Sequence, residues 1–156
     1  MFIVGDALIK KQENKGRDIF LTCNPSMKWV ESTSKFDVWD LVGSKNDTKM
    51  YVEIKNREIK STSYSTSFLE LKKYKNLTDI ANTSSDKAKA FYFVSYTDNV
   101  SYLWDLSKLK LDKLKIEKRW MLEVTLDNRQ DYVEKEVIEL PLTAASKKYT
   151  ITYTYA

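Results

Sequence analysis

The chain has 156 residues, a net charge of +4 and 42% hydrophobic residues, which suffices for one domain around a sizeable core. It contains no histidine, which excludes Ser-His-Asp and Cys-His hydrolases, histidine zinc sites and histidine acid/base catalysis. Three glycines are too few for a P-loop or a dinucleotide fingerprint, so no nucleotide cofactor is expected.

The composition also predicts a cellular location. Cys23 is the one cysteine, so an internal disulfide is excluded and a reduced compartment is expected: the cytoplasm, or the host cytoplasm if the protein is viral. No apolar run approaches the roughly 20 residues that span a bilayer, and Asp6 interrupts the N-terminus too soon for a signal peptide. No membrane partner is expected, whereas the positive charge is compatible with nucleic acid.

The first part of the chain predicts a helix followed by three closely spaced strands. The helix is expected over residues 6–21, with Asp6 as its cap. The strands are expected at Met27–Thr33, Phe36–Val42 and Lys49–Lys55. The link between the last two is polar and rich in turn formers, so these strands should form an antiparallel hairpin.

The second part predicts one more helix and several strands. Ser67 and Glu70 form a capping box that predicts a helix from about Phe68. The following strands are expected at Ala88–Tyr96, Val100–Leu106, Lys118–Thr125 and Tyr132–Leu140. The alternating tail predicts an edge of a sheet or of a dimer.

This order of elements predicts an α/β (α+β) fold with a mixed central sheet flanked by helices. We expect a single domain over residues 1–156, with a core at about 6–106 and a β-rich extension at 107–156. No repeat, linker or low-complexity segment indicates a second domain.

The most informative strand reads Tyr-Val-Glu-Ile-Lys over residues 51–55. Side chains alternate along a strand, so Glu53 and Lys55 share one face, and the apolar residues between them take the other. Burying such a pair costs free energy unless a charged group lies between them, such as a metal ion and a phosphate. The alternative is a surface ion pair, which contributes little stability.

A carboxylate upstream can join this pair. Asp37 is expected to face the same side as Glu53 when the two strands pair, and two such carboxylates can hold magnesium against a scissile phosphate. A lysine on the same strand can orient the attacking water or stabilise the transition state. Asp40 could take the place of Asp37, but alternation puts Asp40 on the opposite face, where it would cap a strand or face solvent.

The pattern of Asp37, a hairpin-length gap and then Glu53-Ile54-Lys55 resembles the PD-(D/E)XK nuclease superfamily, whose fold is called restriction-endonuclease-like. The resemblance covers about residues 6–106. Phe36 stands where the proline of the motif would precede the aspartate. The resemblance implies metal ligands at Asp37 and Glu53, a catalytic lysine at Lys55 and an additional acidic residue at Glu13 on the first helix.

Polar residues around this strand are candidate DNA contacts. They follow the strand, lie in the polar loop after it or belong to the next helix: Asn56, Arg57, Lys60, Tyr64 and Lys73. For each, an ordinary loop or a solvated helix face is the structural alternative. The four tryptophans are expected to be core or half-buried packing residues.

The sequence therefore predicts a magnesium-dependent DNA endonuclease, with Mn²⁺ as a substitute, that hydrolyses phosphodiester bonds with a metal-activated water. DNA is the expected partner, and a homodimer is a candidate assembly. The Lys-, Asn- and Tyr-rich composition suggests a bacteriophage or mobile element. Two alternatives stay open: a catalytically inactive module on the same fold that binds nucleic acid or protein, and a small structural or inhibitory viral protein.

Overall fold

The computed structural model describes residues 4–32, 38–84, 87–122 and 132–152, and at 4–13 and 122 it describes the backbone alone. Two helices lie in these parts of the chain, α1 at Val4–Cys23 and α2 at Leu71–Ser84. The strands are β1 Lys28–Glu31, β2 Leu41–Lys45, β3 Thr48–Arg57, β4 Thr66–Glu70, β5 Lys89–Tyr96, β6 Val100–Asp105, β7 Ile116–Leu122, β8 Tyr132–Pro141 and β9 Lys147–Thr150. Neither helix, in the described range, is long and apolar enough to cross a membrane.

The strands form two sheets. The larger has the order β1-β2-β3-β5-β6-β9, and the smaller has the order β4-β8-β7. Strands β3 and β5 are parallel, and the remaining pairs are antiparallel. A parallel pair needs a long crossover, which here contains β4 and α2. This α+β fold, with a mixed central sheet flanked by two helices, confirms the predicted fold class.

Both faces of the central sheet are covered, and this explains the apolar sequence of β5. Tyr92 belongs to the core on the α2 side together with Leu77 and Trp104. Its neighbour Phe93 belongs to the core on the α1 side together with Phe20. A strand that is buried on both faces reads as a continuous apolar run rather than an alternating one.

The predicted antiparallel hairpin is confirmed. Strands β2 and β3 pair from Leu41↔Val52 to Lys45↔Thr48. Asn46 and Asp47, with φ of 51° and 65°, connect them. Two residues with positive φ make the tight turn that matches the twist of paired strands, and Asn and Asp tolerate this conformation better than most residues do.

Close packing beside this hairpin gives a stability prediction. A Cβ added at Gly43 would lie 2.6 Å from the ring of Trp29 on β1. Gly43→Ala should therefore lower the unfolding free energy by about 1–3 kcal/mol, since an extra methyl in a tight site displaces its neighbours. Urea unfolding measures this loss, with the exposed Ser44→Ala as the control. An unchanged denaturation midpoint in Gly43→Ala is the contrary result.

Three local predictions are wrong. The capping box does not start a helix at Phe68, because Ser67 and Glu70 lie in β4 and pair with Leu140 and Val137 of β8. Residues 38–40 are not in a strand, and β2 begins only at Leu41. Trp120 on β7 is 72% exposed rather than a packing residue.

Candidate active site

Strand β3 divides its side chains between the two cores as the sequence predicts. Tyr51 packs in the core on the α2 side. Val52 and Ile54 pack in the core on the α1 side. Because side chains alternate, Glu53 and Lys55 lie on the α2 side. With β2 and β5 on either side of β3, Glu53 is only 7% exposed.

Two ammonium groups lie close to the Glu53 carboxylate. Lys73 Nζ, from α2, donates a hydrogen bond of 3.0 Å to Glu53 Oε1. Lys55 Nζ lies 3.9 Å from the same oxygen. The interpretation of Glu53 and Lys55 as a surface ion pair does not fit a buried carboxylate held by two ammonium groups.

Asp40 lies against the same strand, immediately before β2. Its backbone N–H donates to the carbonyl of Val52 at 2.8 Å, and its Oδ2 accepts from the Ile54 N–H at 2.7 Å. Asp40 is thus held against the backbone of β3 rather than pointing into solvent, and its carboxyl group senses the charge of Glu53. Strand alternation does not apply here, since the adjacent Val38 and Trp39 pack against the same core.

Helix α1 brings a cation to Asp40. Arg17 Nη2 lies 3.6 Å from Asp40 Oδ1. Arg17 Nε is buried and has no hydrogen-bond partner among the described residues. A Cβ added at Gly16 would lie 3.0 Å from Ile54 Cγ2, so the missing side chain allows α1 to approach β3 this closely. No periodicity in the sequence singles out Arg17, because its contact with Asp40 depends on how α1 docks against β3.

The electrostatics of these groups are strongly perturbed. Burial raises the pKa of Asp40 to about 7, and the nearby negative charge of Glu53 adds to the shift. Burial lowers the pKa of Lys55, and the positive charge of Lys73 lowers it further. Burial alone would also lower the pKa of Lys73, but the attraction of Glu53 outweighs it and the pKa is raised. The carboxylates of Asp40 and Glu53 are thus close enough to repel each other at a site with little access to water.

Two of the predicted acidic residues cannot be located with the others. Asp37 lies outside the described residues. Glu13 lies on α1, four residues before Arg17, but its side chain is not described. Among the side chains that are described, no group of three or more Asp, Glu, Cys or His residues could hold a metal ion. The assignment of Asp37 and Glu13 therefore stays a prediction.

Two of the candidate DNA contacts, Asn56 and Arg57, form hydrogen bonds within the protein. Asn56 Nδ2 donates to Glu58 Oε1 at 2.7 Å, and Asn56 Oδ1 accepts from Ser95 Oγ at 2.8 Å. Arg57 Nη2 donates to Tyr92 Oη at 3.3 Å, and its guanidinium lies 4.3 Å from the centre of the Phe68 ring. These contacts hold both side chains against the body of the protein.

The candidates in the following loop are more open. Lys60 is exposed, and Tyr64 is 67% exposed. The loop is anchored nearby, because Ser61 Oγ donates to Asp98 Oδ2 at 2.6 Å and the Thr97 N–H donates to the Ile59 carbonyl at 3.0 Å. Lys60 and Tyr64 are therefore presented on a fixed loop.

The donor set of Asp40 and Glu53 fits a hard divalent cation. Mg²⁺ prefers oxygen ligands and is often bound through one or two carboxylates. A cation between these two side chains would relieve the repulsion that contributes to the raised pKa of Asp40. The remaining positions would be filled by water or by a substrate oxygen.

The described elements form a restriction-endonuclease-like fold. The structure is similar to that of Hjc from the hyperthermophile Archaeoglobus fulgidus, a Holliday junction resolvase, with a TM-score of 0.55. The match covers 89% of this chain and 91% of that chain, at 11% sequence identity. At this identity the similarity concerns the fold alone. No family model matches the chain, and no curated protein matches its sequence.

Proposed function

We propose that the protein is a metal-dependent DNA endonuclease. The observation that carries the proposal is the burial of Glu53 beside Asp40 on the central strand, with Lys55 at 3.9 Å from Glu53. Burying the Glu53 carboxylate beside a second carboxylate and a lysine that are only partly exposed costs free energy that hydrophobic side chains of similar size would avoid. Perturbed ionisable groups of this kind cluster at functional sites.

Each group has a proposed role. Asp40 and Glu53 would hold Mg²⁺, or Mn²⁺ in its place, with Asp37 and Glu13 as further candidate ligands. The metal, when bound, supplies an activated water and neutralises charge on the phosphate. Lys55 lies beside Glu53 and would orient the water or stabilise negative charge in the transition state. Lys60 and Tyr64, on their fixed loop, are available to contact the DNA backbone.

The substrate proposal draws on the fold. The similar protein Hjc is a Holliday junction resolvase, so four-way DNA junctions belong among the substrates to be tested beside linear and single-stranded DNA. A homodimer would allow both strands to be cut.

Metal removal tests the proposal directly. The purified protein is incubated with supercoiled plasmid, single-stranded DNA and a synthetic four-way junction, in Mg²⁺, in Mn²⁺ or with excess EDTA. We expect cleavage of at least one substrate with either metal, none with EDTA, and recovery when Mg²⁺ is restored. Cleavage that persists in EDTA would contradict the proposed mechanism.

A second candidate is a catalytically inactive binding module on the same fold. The hydrogen bond between Lys73 and Glu53 favours it, because the ammonium takes a position that a metal could occupy. Such a module would retard labelled DNA in a native gel but cleave none of the three substrates in either metal.

A further inference from the structure

We infer that Lys73 is an internal counter-ion, which occupies the cation position at Glu53 and leaves it when a divalent metal binds. The inference rests on the proposed metal-dependent function and adds a residue that regulates the same site. Its basis is the 3.0 Å hydrogen bond from Lys73 Nζ to Glu53 Oε1.

The position of Lys73 on its helix is not that of an ordinary surface lysine. Leu77 and Ala81, one and two turns later, are the buried residues of α2, with exposures of 0% and 4%. Residues four apart lie on one face of a helix, so Lys73 continues this buried stripe toward the site. The neighbouring Lys72, in contrast, is exposed. The docking of α2 therefore fixes the start of the Lys73 side chain above Glu53.

A lysine on this stripe requires a carboxylate. Glu53 provides it, and the two side chains are 35% and 9% exposed, so the pair is shielded from water on the Glu53 side and open on the lysine side. Without Lys73, the carboxylate would be left with Lys55, at 3.9 Å, as its one cation within 4 Å among the described side chains. Lys73 thus stabilises the metal-free site.

The same contact must compete with metal binding. A divalent cation coordinated by Glu53 Oε1 would lie close to an ammonium bound to the same oxygen, and like charges at that distance repel. The lysine has a flexible four-carbon stem and can retreat toward water. Glu70 also attracts its ammonium, and Lys135 already binds that carboxylate at 3.3 Å. Metal binding at Glu53 Oε1 and the hydrogen bond from Lys73 to that oxygen are then mutually exclusive.

The test measures metal binding without DNA. Lys73→Met removes the charge and keeps an apolar stem, and Lys72→Met is the matched control on the exposed side of the same helix. Mn²⁺ and Mg²⁺ are titrated by calorimetry into chelator-treated protein. We expect Lys73→Met to bind Mn²⁺ about tenfold more tightly than wild type, which corresponds to 1.4 kcal/mol. We expect Lys72→Met to match wild type.

A second readout is thermal melting with and without metal. Lys73→Met should melt at a lower temperature than wild type in EDTA and gain more from Mn²⁺, because tighter binding to the folded state stabilises it further. If Lys73→Met does not fold, Lys73→Gln is measured in its place, because its neutral amide can still donate to Glu53. We again expect tighter Mn²⁺ binding and a larger gain in melting temperature from Mn²⁺ than in wild type.

The outcomes separate the two proposals. Wild-type protein that binds neither metal overturns the metal-dependent function, and the inference falls with it. Wild-type protein that binds metal, with equal or weaker affinity in Lys73→Met and Lys73→Gln, overturns the inference alone and leaves the proposed function standing.

Discussion

Glu53→Gln is expected to abolish DNA cleavage, with a loss of about 10³-fold or more. A metal ligand at the scissile phosphate supports several kcal/mol of transition-state stabilisation, and each 1.36 kcal/mol is a factor of about ten in rate. Glutamine has nearly the shape of glutamate but lacks the charge. The rate is measured on whichever substrate the wild type cuts in Mg²⁺. Glu136→Gln, an exposed glutamate on β8, is the matched control and should cleave like wild type.

This substitution also affects stability, and the two effects can be separated. Breaking a fully buried ion pair costs about 3–5 kcal/mol, because the remaining charge is left without a partner. The cost here should be smaller, since Lys55 and Lys73 are 30% and 35% exposed and can be hydrated. The double variant Glu53→Gln/Lys73→Met should recover most of the lost stability and none of the activity. Recovery of cleavage in the double variant would refute the assignment of Glu53 as a metal ligand.

The sequence predicts the face of β3 because the information is local. The period of two across residues 51–55 and the turn formers after Gly43 determine the alternation and the hairpin without reference to the rest of the chain. The sequence alone therefore predicts that Glu53 and Lys55 share a face. Their burial depends on α2, which the sequence predicts only as an amphipathic helix.

The positions of Asp40 and Lys73 could not be predicted from local sequence patterns. The β-forming residues at 36–42 predict a strand, but the ladder between β2 and β3 begins only at Leu41, and the residues before it follow the packing of Val38 and Trp39. The capping box before α2 fails for a similar reason, because pairing with the distant strand β8 overrides the local preference. Long-range pairing and helix docking are not encoded in any short window of sequence.

Asp40→Asn is expected to reduce cleavage by about 10² to 10³-fold while leaving the fold intact. The amide oxygen of asparagine can still accept the hydrogen bond from the Ile54 N–H, so the backbone contact of 2.7 Å is retained. What is lost is the negative charge beside Glu53, and with it part of the metal affinity. Loss of a metal-held charge is worth several kcal/mol in the transition state.

Asp37→Asn, measured beside Asp40→Asn, decides which aspartate holds the metal. The Asp40 carboxylate bonds to the backbone of β3 and senses the charge of Glu53, so we expect the larger loss of Mn²⁺ affinity and of cleavage in Asp40→Asn. The sequence pattern assigns this role to Asp37 and predicts the reverse order. Full activity in Asp40→Asn with none in Asp37→Asn would restore that assignment, and losses in both would indicate a site with three carboxylates. Circular dichroism and urea unfolding of each variant separate these outcomes from misfolding.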